Sequence, residues 1–263
     1  MKDKIFFICF YSLLAGLTIF FIALILSVIP QMLEAAPVRG LGNREILFAV
    51  KLTLFTATAS SLLAMLFSIP IGYMLARYNF FMKNLIDAVL YLPLVISPIA
   101  LGAMMLIFFN TPMGRFFENN LFRVVFEVPA IILAQFIVIV GLSISLTRAV
   151  FEYIDPVYED IARTLGATKF YAFRKVILPM GGKGLVSAFL LTWARAVGEF
   201  GATVTLAGAT TMKTETLPVA IYLSFASADI YSVCVLILIS LAISLSILFS
   251  IRKLYASNQR AYI

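Results

Sequence analysis

The stretch Asp155-Pro156-Val157-Tyr158-Glu159-Asp160-Ile161-Ala162-Arg163-Thr164-Leu165-Gly166-Ala167-Thr168, continued to Leu178-Pro179, reads as two short helices joined at a glycine. Asp155 is placed to cap the first helix, and Pro156 suits its first position. Gly166 supplies the left-handed turn that ends it. Thr168 then caps a second helix through Val176, which Pro179 is expected to stop. Phe170, Tyr171 and Phe173 add apolar surface, so a partner is expected to dock on this stretch.

The sequence around it is unlike that of a soluble domain. Of 263 residues, 62% are hydrophobic and 13% charged, with a mean hydropathy of +1.04. A soluble domain carries about 25% charged residues. The apolar excess comes in runs long enough to cross about 30 Å of hydrocarbon. Six spans are predicted, at 5–32, 46–75, 85–109, 128–147, 185–209 and 230–251. The first is too long for a signal-peptide core, and Leu33-Glu34-Ala35-Ala36 offers no small-x-small cleavage site.

With the N-terminus inside, inner segments hold thirteen Lys and Arg and outer loops five: Arg39, Arg44, Arg115, Arg123 and Lys213. That asymmetry places both termini in the cytoplasm. The net charge of +7 therefore orients the chain in a lipid bilayer, and no aromatic-basic stretch supports nucleic-acid binding. Histidine is absent, which excludes His-metal sites, Ser/His triads and His proton relays. No metal site is expected. A P-loop is missing too, because Ile177 stands where the only Gly-Lys pair, Gly182-Lys183, would need a glycine. Cys9 and Cys234 each sit in an apolar run and imply no disulfide framework.

Two spans are more than anchors. Thr53, Ala57 and Ser61 form a small-residue stripe that permits close helix approach. Pro93 and Pro98 interrupt the third span, which reads as a pathway helix because freed carbonyls need protein or a water-filled cavity beside them.

The run Asp160-Ile161-Ala162-Arg163-Thr164-Leu165-Gly166-Ala167, then Phe173, Val176, Leu178 and Pro179, resembles the "EAA" loop of ATP-binding-cassette (ABC) importer permeases. That pattern is E-A-A, three residues, Gly, nine residues, a β-branched apolar residue, one residue, then Leu-Pro. Asp160 and Ile161 depart from it, as Asp for Glu and Ile for Ala. The resemblance implies an all-α integral membrane protein of the type I importer permease fold. It would have six transmembrane helices and a cytoplasmic coupling-helix loop at 148–184. By resemblance, Glu159, Asp160, Ala162, Arg163, Thr164, Leu165, Gly166 and Ala167 couple the chain to an ATPase. ATP and Mg would be bound by two such ABC ATPase subunits and not by this chain. The remaining implied partners are a second copy of the permease, or a sister permease, and an extracytoplasmic oxyanion-binding protein. The setting would be a prokaryotic plasma membrane.

The fifth span carries Ala194-Arg195-Ala196-Val197-Gly198-Glu199-Phe200-Gly201-Ala202-Thr203, followed by Thr214-Glu215-Thr216-Leu217-Pro218. These resemble the oxyanion branch of the permeases, molybdate/tungstate members more than sulfate members. Arg195 is predicted near mid-bilayer with Glu199 one turn away, where the two can pair. Arg195 then either greets an anion in the pathway or is neutralised in a structural pair. Thr203 and Thr205 either donate to passing oxygens or bond their own backbone. An ion-gradient-driven transporter would show lone buried carboxylates and paired repeats, and neither is evident.

A single cysteine at Ala167, in a Cys9→Ser/Cys234→Ser background, should react with a membrane-impermeant maleimide only in inside-out vesicles. Labelling in intact cells would reverse the orientation.

Overall fold

The computed structural model describes residues 2–34, 42–120 and 122–259. Arg39 and Arg260 of the loop-charge count, and Ala35-Ala36, lie outside the described residues. No strand occurs among those described. The helices are α1 (Lys2–Leu26), α2 (Val28–Glu34), α3 (Asn43–Arg77), α4 (Lys83–Val95), α5 (Pro98–Asn110), α6 (Pro112–Asn120) and α7 (Val128–Tyr153). They continue with α8 (Val157–Thr164), α9 (Lys169–Ala172), α10 (Leu178–Val197), α11 (Gly201–Ala207), α12 (Leu217–Ala226) and α13 (Ile230–Gln259). Five continuous helical runs are long and apolar enough to cross a membrane, and α4 with α5 makes a sixth, broken one. The all-α, six-span architecture is the one the apolar runs predict.

The centre of the bundle is the seam between α3 and α7. Thr53, Ala57 and Ser61 are fully buried, and the stripe they begin continues through Ala64 and Ser68 to Gly72. The hydroxyls of Ser68 and Ser143 lie 2.7 Å apart, and Thr147 donates to the Ser68 carbonyl at 3.0 Å. At Gly72 the approach is closest: a Cβ there would lie 2.5 Å from Thr147 Oγ1 and 2.9 Å from the Arg148 nitrogen. Gln135 of α7, 1% exposed, accepts from Ser60 at 3.2 Å and donates to the Ala196 carbonyl at 3.3 Å. One side chain thereby ties α3, α7 and α10 together at mid-span. Apolar clusters fill the bundle on either side, with Leu52, Met105, Phe109, Ile131 and Leu206 in one and Met65, Tyr73, Phe151, Ile177 and Leu185 in the other. The described side chains of α1, by contrast, are all exposed.

Several boundaries differ from the sequence reading. The third span is not one helix: it turns by 110° between α4 and α5. Pro98 makes this break and Pro93 does not. Proline disfavours helical backbone in the residue before it, and Ser97 is extended (φ −55°, ψ 134°), whereas Pro93 sits inside α4. Pro179 likewise fails to stop a helix. The chain runs from α9 into α10 through a widened turn at Phe173–Ile177, where the Leu178 N–H bonds the Phe173 carbonyl five residues back. Such a π-type turn moves aside the carbonyl that the proline ring would strike. The fifth span therefore extends from Lys169 to Val197 and then breaks at Gly198–Phe200. Two short helices, α6 and α12, stand where connections were predicted.

Replacing Gly72 by Ala should lower the melting temperature of the detergent-solubilised protein by several degrees. Overpacking of about 1–3 kcal/mol outweighs the roughly 1 kcal/mol gained in helix propensity, because a backbone nitrogen cannot rotate away. Gly182→Ala, with nothing within 4 Å of the added carbon, should leave it unchanged or higher.

Candidate functional site

The loop quoted at the outset forms a small, fully capped unit. Asp155 Oδ1 accepts from the Val157 N–H at 2.9 Å at the start of α8. At its other end Gly166 adopts φ +90°, its N–H bonds the Arg163 carbonyl at 3.0 Å, and the Ala167 N–H reaches back to Ala162 at 3.1 Å. That is the paired-bond glycine stop of a Schellman motif. Thr168 Oγ1 accepts from the Tyr171 N–H at 3.2 Å and opens α9. The caps thus fix the ends of a two-turn helix through bonds made within the loop itself.

The faces of this unit are sharply divided. Val157, Tyr158, Ile161 and Leu165 are exposed, as are Phe170 and Tyr171 beyond the turn. Asp160, Arg163, Thr164 and Gly166 share the exposure, with Ala162 and Ala167 half-buried. Phe173 differs from the reading that placed it on this surface: it packs inward against Tyr73, with ring centroids 4.5 Å apart. Glu159 also turns inward. It is 8% exposed, and its Oε1 accepts the Tyr73 hydroxyl at 2.8 Å.

The second arrangement lies where two broken spans meet. A Cβ on Gly201, the first residue of α11, would lie 3.1 Å from Pro98 Cβ, so the α10–α11 break faces the α4–α5 break. Glu199, 2% exposed, holds this junction. Its Oε2 accepts from Arg195 Nη1 at 2.7 Å, and its Oε1 caps α11 by accepting from the Ala202 N–H at 3.0 Å. The Arg195 side chain stays 41% exposed. Thr205 bonds its own backbone at Gly201, 2.8 Å away, while the buried Thr203 hydroxyl has no protein partner. Pro98, Arg195 and Glu199 are therefore gathered at the breaks, with Thr203 in the next turn. Pro93 lies back along α4.

Sequence reasoning missed the partners that lie far away along the chain. Tyr73 and Arg77 at the end of α3 receive Glu159. Asp87 pairs with Arg148 at 2.7 Å, and Arg148 also binds Glu152 at 2.7 Å. The loop-charge count grouped Arg77 with Arg148 on one side of the membrane, and it covered neither Tyr73 nor the acidic partners. At the opposite end of the bundle, Lys213 binds Glu127 at 2.6 Å. Burial of Glu215, with Glu45 nearby, raises its carboxyl above the usual range, against the pull of a hydrogen bond donated by the Met212 N–H. No group of three metal-ligating side chains converges among the described residues.

Comparison with known proteins now decides the family. The family of binding-protein-dependent transport system inner membrane components matches residues 68–257, which includes both the capped loop and the two breaks. The chain belongs to this family. It is a multi-pass inner-membrane permease subunit of an ABC importer. It is 30% identical, over 93% of its length and 92% of theirs, to the sulfate transport system permease protein CysT of Salmonella typhimurium. It is 34% identical to the molybdate/tungstate transport system permease protein WtpB of Thermococcus kodakarensis, over 65% of this chain and 64% of that one. A permease chain of a bacterial alginate ABC transporter shares the fold, with a TM-score of 0.72 at 17% identity over 92% of this chain and 91% of that chain.

The two members of the Arg195–Glu199 pair should not be equivalent. Arg195→Met leaves a buried carboxylate without its cation, a loss in the range of about 3–5 kcal/mol for fully buried pairs and smaller here because Arg195 is part-exposed. Glu199→Gln leaves a part-exposed cation and keeps an acceptor for the Ala202 N–H. Melting temperatures in detergent should therefore fall more for Arg195→Met than for Glu199→Gln.

Proposed function

We propose that this permease forms the translocation path of an oxyanion importer, with molybdate or tungstate as cargo and ATP hydrolysis on partner subunits as the drive. The observation that carries the mechanism is the capped α8 unit. A rigid two-turn helix with an exposed apolar face, held at the inner end of the bundle, suits a groove on another protein. Two ATPases binding Mg and ATP would each take one such helix from a pair of permease copies. Their closure displaces α8, and the two breaks let α5 and α11 change angle while the α3–α7 seam stays intact. Both termini are cytoplasmic in this reading. A binding protein delivers the oxyanion from outside, so the permease itself needs only weak sites.

For the cargo, the support is the Ala194-Arg195-Ala196-Val197-Gly198-Glu199-Phe200-Gly201 run together with the Thr214–Tyr222 segment. Relatives named for molybdenum or molybdate/tungstate match at 32–34% identity over 65–83% of the chain. Sulfate is the second reading, favoured by the match to the sulfate permease along nearly the whole chain.

Reconstituted with its ATPase and binding protein, the permease should support ATP hydrolysis that rises several-fold with molybdate- or tungstate-loaded binding protein. Gly166→Glu should abolish the rise, since a side chain at φ +90° strains the backbone by about 1–2 kcal/mol and unmakes the glycine stop. Stimulation by sulfate alone would move the cargo assignment. Oxyanion flux on an ion gradient with no ATPase bound would overturn the mechanism.

A further inference from the structure

Glu159 is the one charged residue of the coupling loop that is buried, and it is buried against α3. Besides the Tyr73 hydroxyl on Oε1, its Oε2 faces Arg77 Nε at 3.9 Å. Arg77 in turn donates from Nη2 to the Ile154 carbonyl, the residue that ends α7, at 2.6 Å. Both side chains of the ion pair are at most 10% exposed. Three separate elements, α3, α7 and α8, thus converge on one carboxylate–guanidinium pair.

Stability alone does not account for this cluster. A buried ion pair commonly contributes little over well-packed apolar side chains, and here Arg77 Nε is buried with no hydrogen-bond partner. The aromatic packing beside it does not involve α8: Tyr73 of α3 packs against Phe151 of α7 and Phe173 of the π-type turn, at 5.7 and 4.5 Å between ring centroids. Glu159 is the only side chain that α8 itself buries. What the polar cluster adds is therefore the attachment of α8 to the ends of α3 and α7, by a hydrogen bond and by charge.

We infer that Tyr73, Glu159 and Arg77 form a tether that makes the coupling helix move as one body with α3 and α7. Displacement of α8 is then passed to the seam and is taken up at the α4–α5 and α10–α11 breaks. Tyr73 and Arg77 are positioning residues, acting through Glu159. The inference rests on the reading of α8 as the element moved by the ATPase.

The test uses the full complex of permease, ATPase and oxyanion-loaded binding protein in liposomes, measuring both ATP hydrolysed and oxyanion accumulated. Tyr73→Phe is the cleanest variant, since it keeps the ring contacts and removes only the hydroxyl; Arg77→Gln and Glu159→Gln probe the charges. The expected result is oxyanion taken up per ATP falling at least three-fold in Tyr73→Phe and further in Arg77→Gln, with Arg77→Lys recovering part of the loss. Melting temperature should move little in Tyr73→Phe. Uptake and hydrolysis falling in the same proportion, or neither changing in Tyr73→Phe, would overturn the tether. Failure of the underlying reading has a separate signature: the unaltered complex would then show no ATP-dependent uptake.

Discussion

A bilayer core offers helices neither water-driven association nor spare hydrogen-bond partners, so α3 and α7 are held by how closely they approach. Small side chains from Thr53 to Gly72 make that approach possible, and the hydroxyls of Ser68, Ser143 and Thr147 use it. Helices α4, α10 and α11 are each packed against this pair. Gln135 and Trp193 fix α10 to it, the latter by donating to Thr58 Oγ1 at 3.1 Å. Arg148, near the C-terminal end of α7, fixes α4 through Asp87. A close, polar-laced seam resists bending, whereas the breaks at Ile96-Ser97 and Gly198–Phe200 leave backbone groups without helical partners and bend readily. Rigidity and compliance are thus distributed to different spans.

The same division runs through the charged residues. Glu199 and Glu159 are both deeply buried carboxylates, and each has an arginine beside it. Glu199 accepts from that arginine and from the backbone of the helix it caps, and belongs to the compliant junction. Glu159 faces its arginine at 3.9 Å, accepts its hydrogen bond from a tyrosine on α3, and belongs to the rigid part. Neither is a lone mid-membrane charge of the kind a proton- or sodium-driven transporter requires.

Local chemistry was legible in the sequence, and distant chemistry was not. Gly166, Asp155 and Thr168 each act within three residues of themselves, so their residue types alone placed the turn and caps. The small-residue stripe was read only from Thr53 to Ser61, because the strict four-residue spacing ends there: Ala64 follows by a step of three before Ser68 and Gly72 resume steps of four. Tyr73 and Glu159 are 86 positions apart, and nothing in either neighbourhood names the other. Pro179 was misread for a different reason. Its cost assumes an ordinary α-helical turn before it, and the chain supplies a wider one. The short α12 escaped notice although Thr216 and Pro218 stand at its start.

That wider turn also has a consequence for phase. One extra residue in a turn rotates everything after it by about 100° relative to everything before it. Phe170 and Tyr171 on the near side of the bulge, and Arg195 on the far side, therefore need not share the angular relation that an unbroken helix from Lys169 to Val197 would impose. The two ends of a single long helical run, which the proposed function assigns to docking and to the pathway, can be aimed separately, and losing one residue between Phe173 and Ile177 would rotate one end relative to the other while leaving both segments helical.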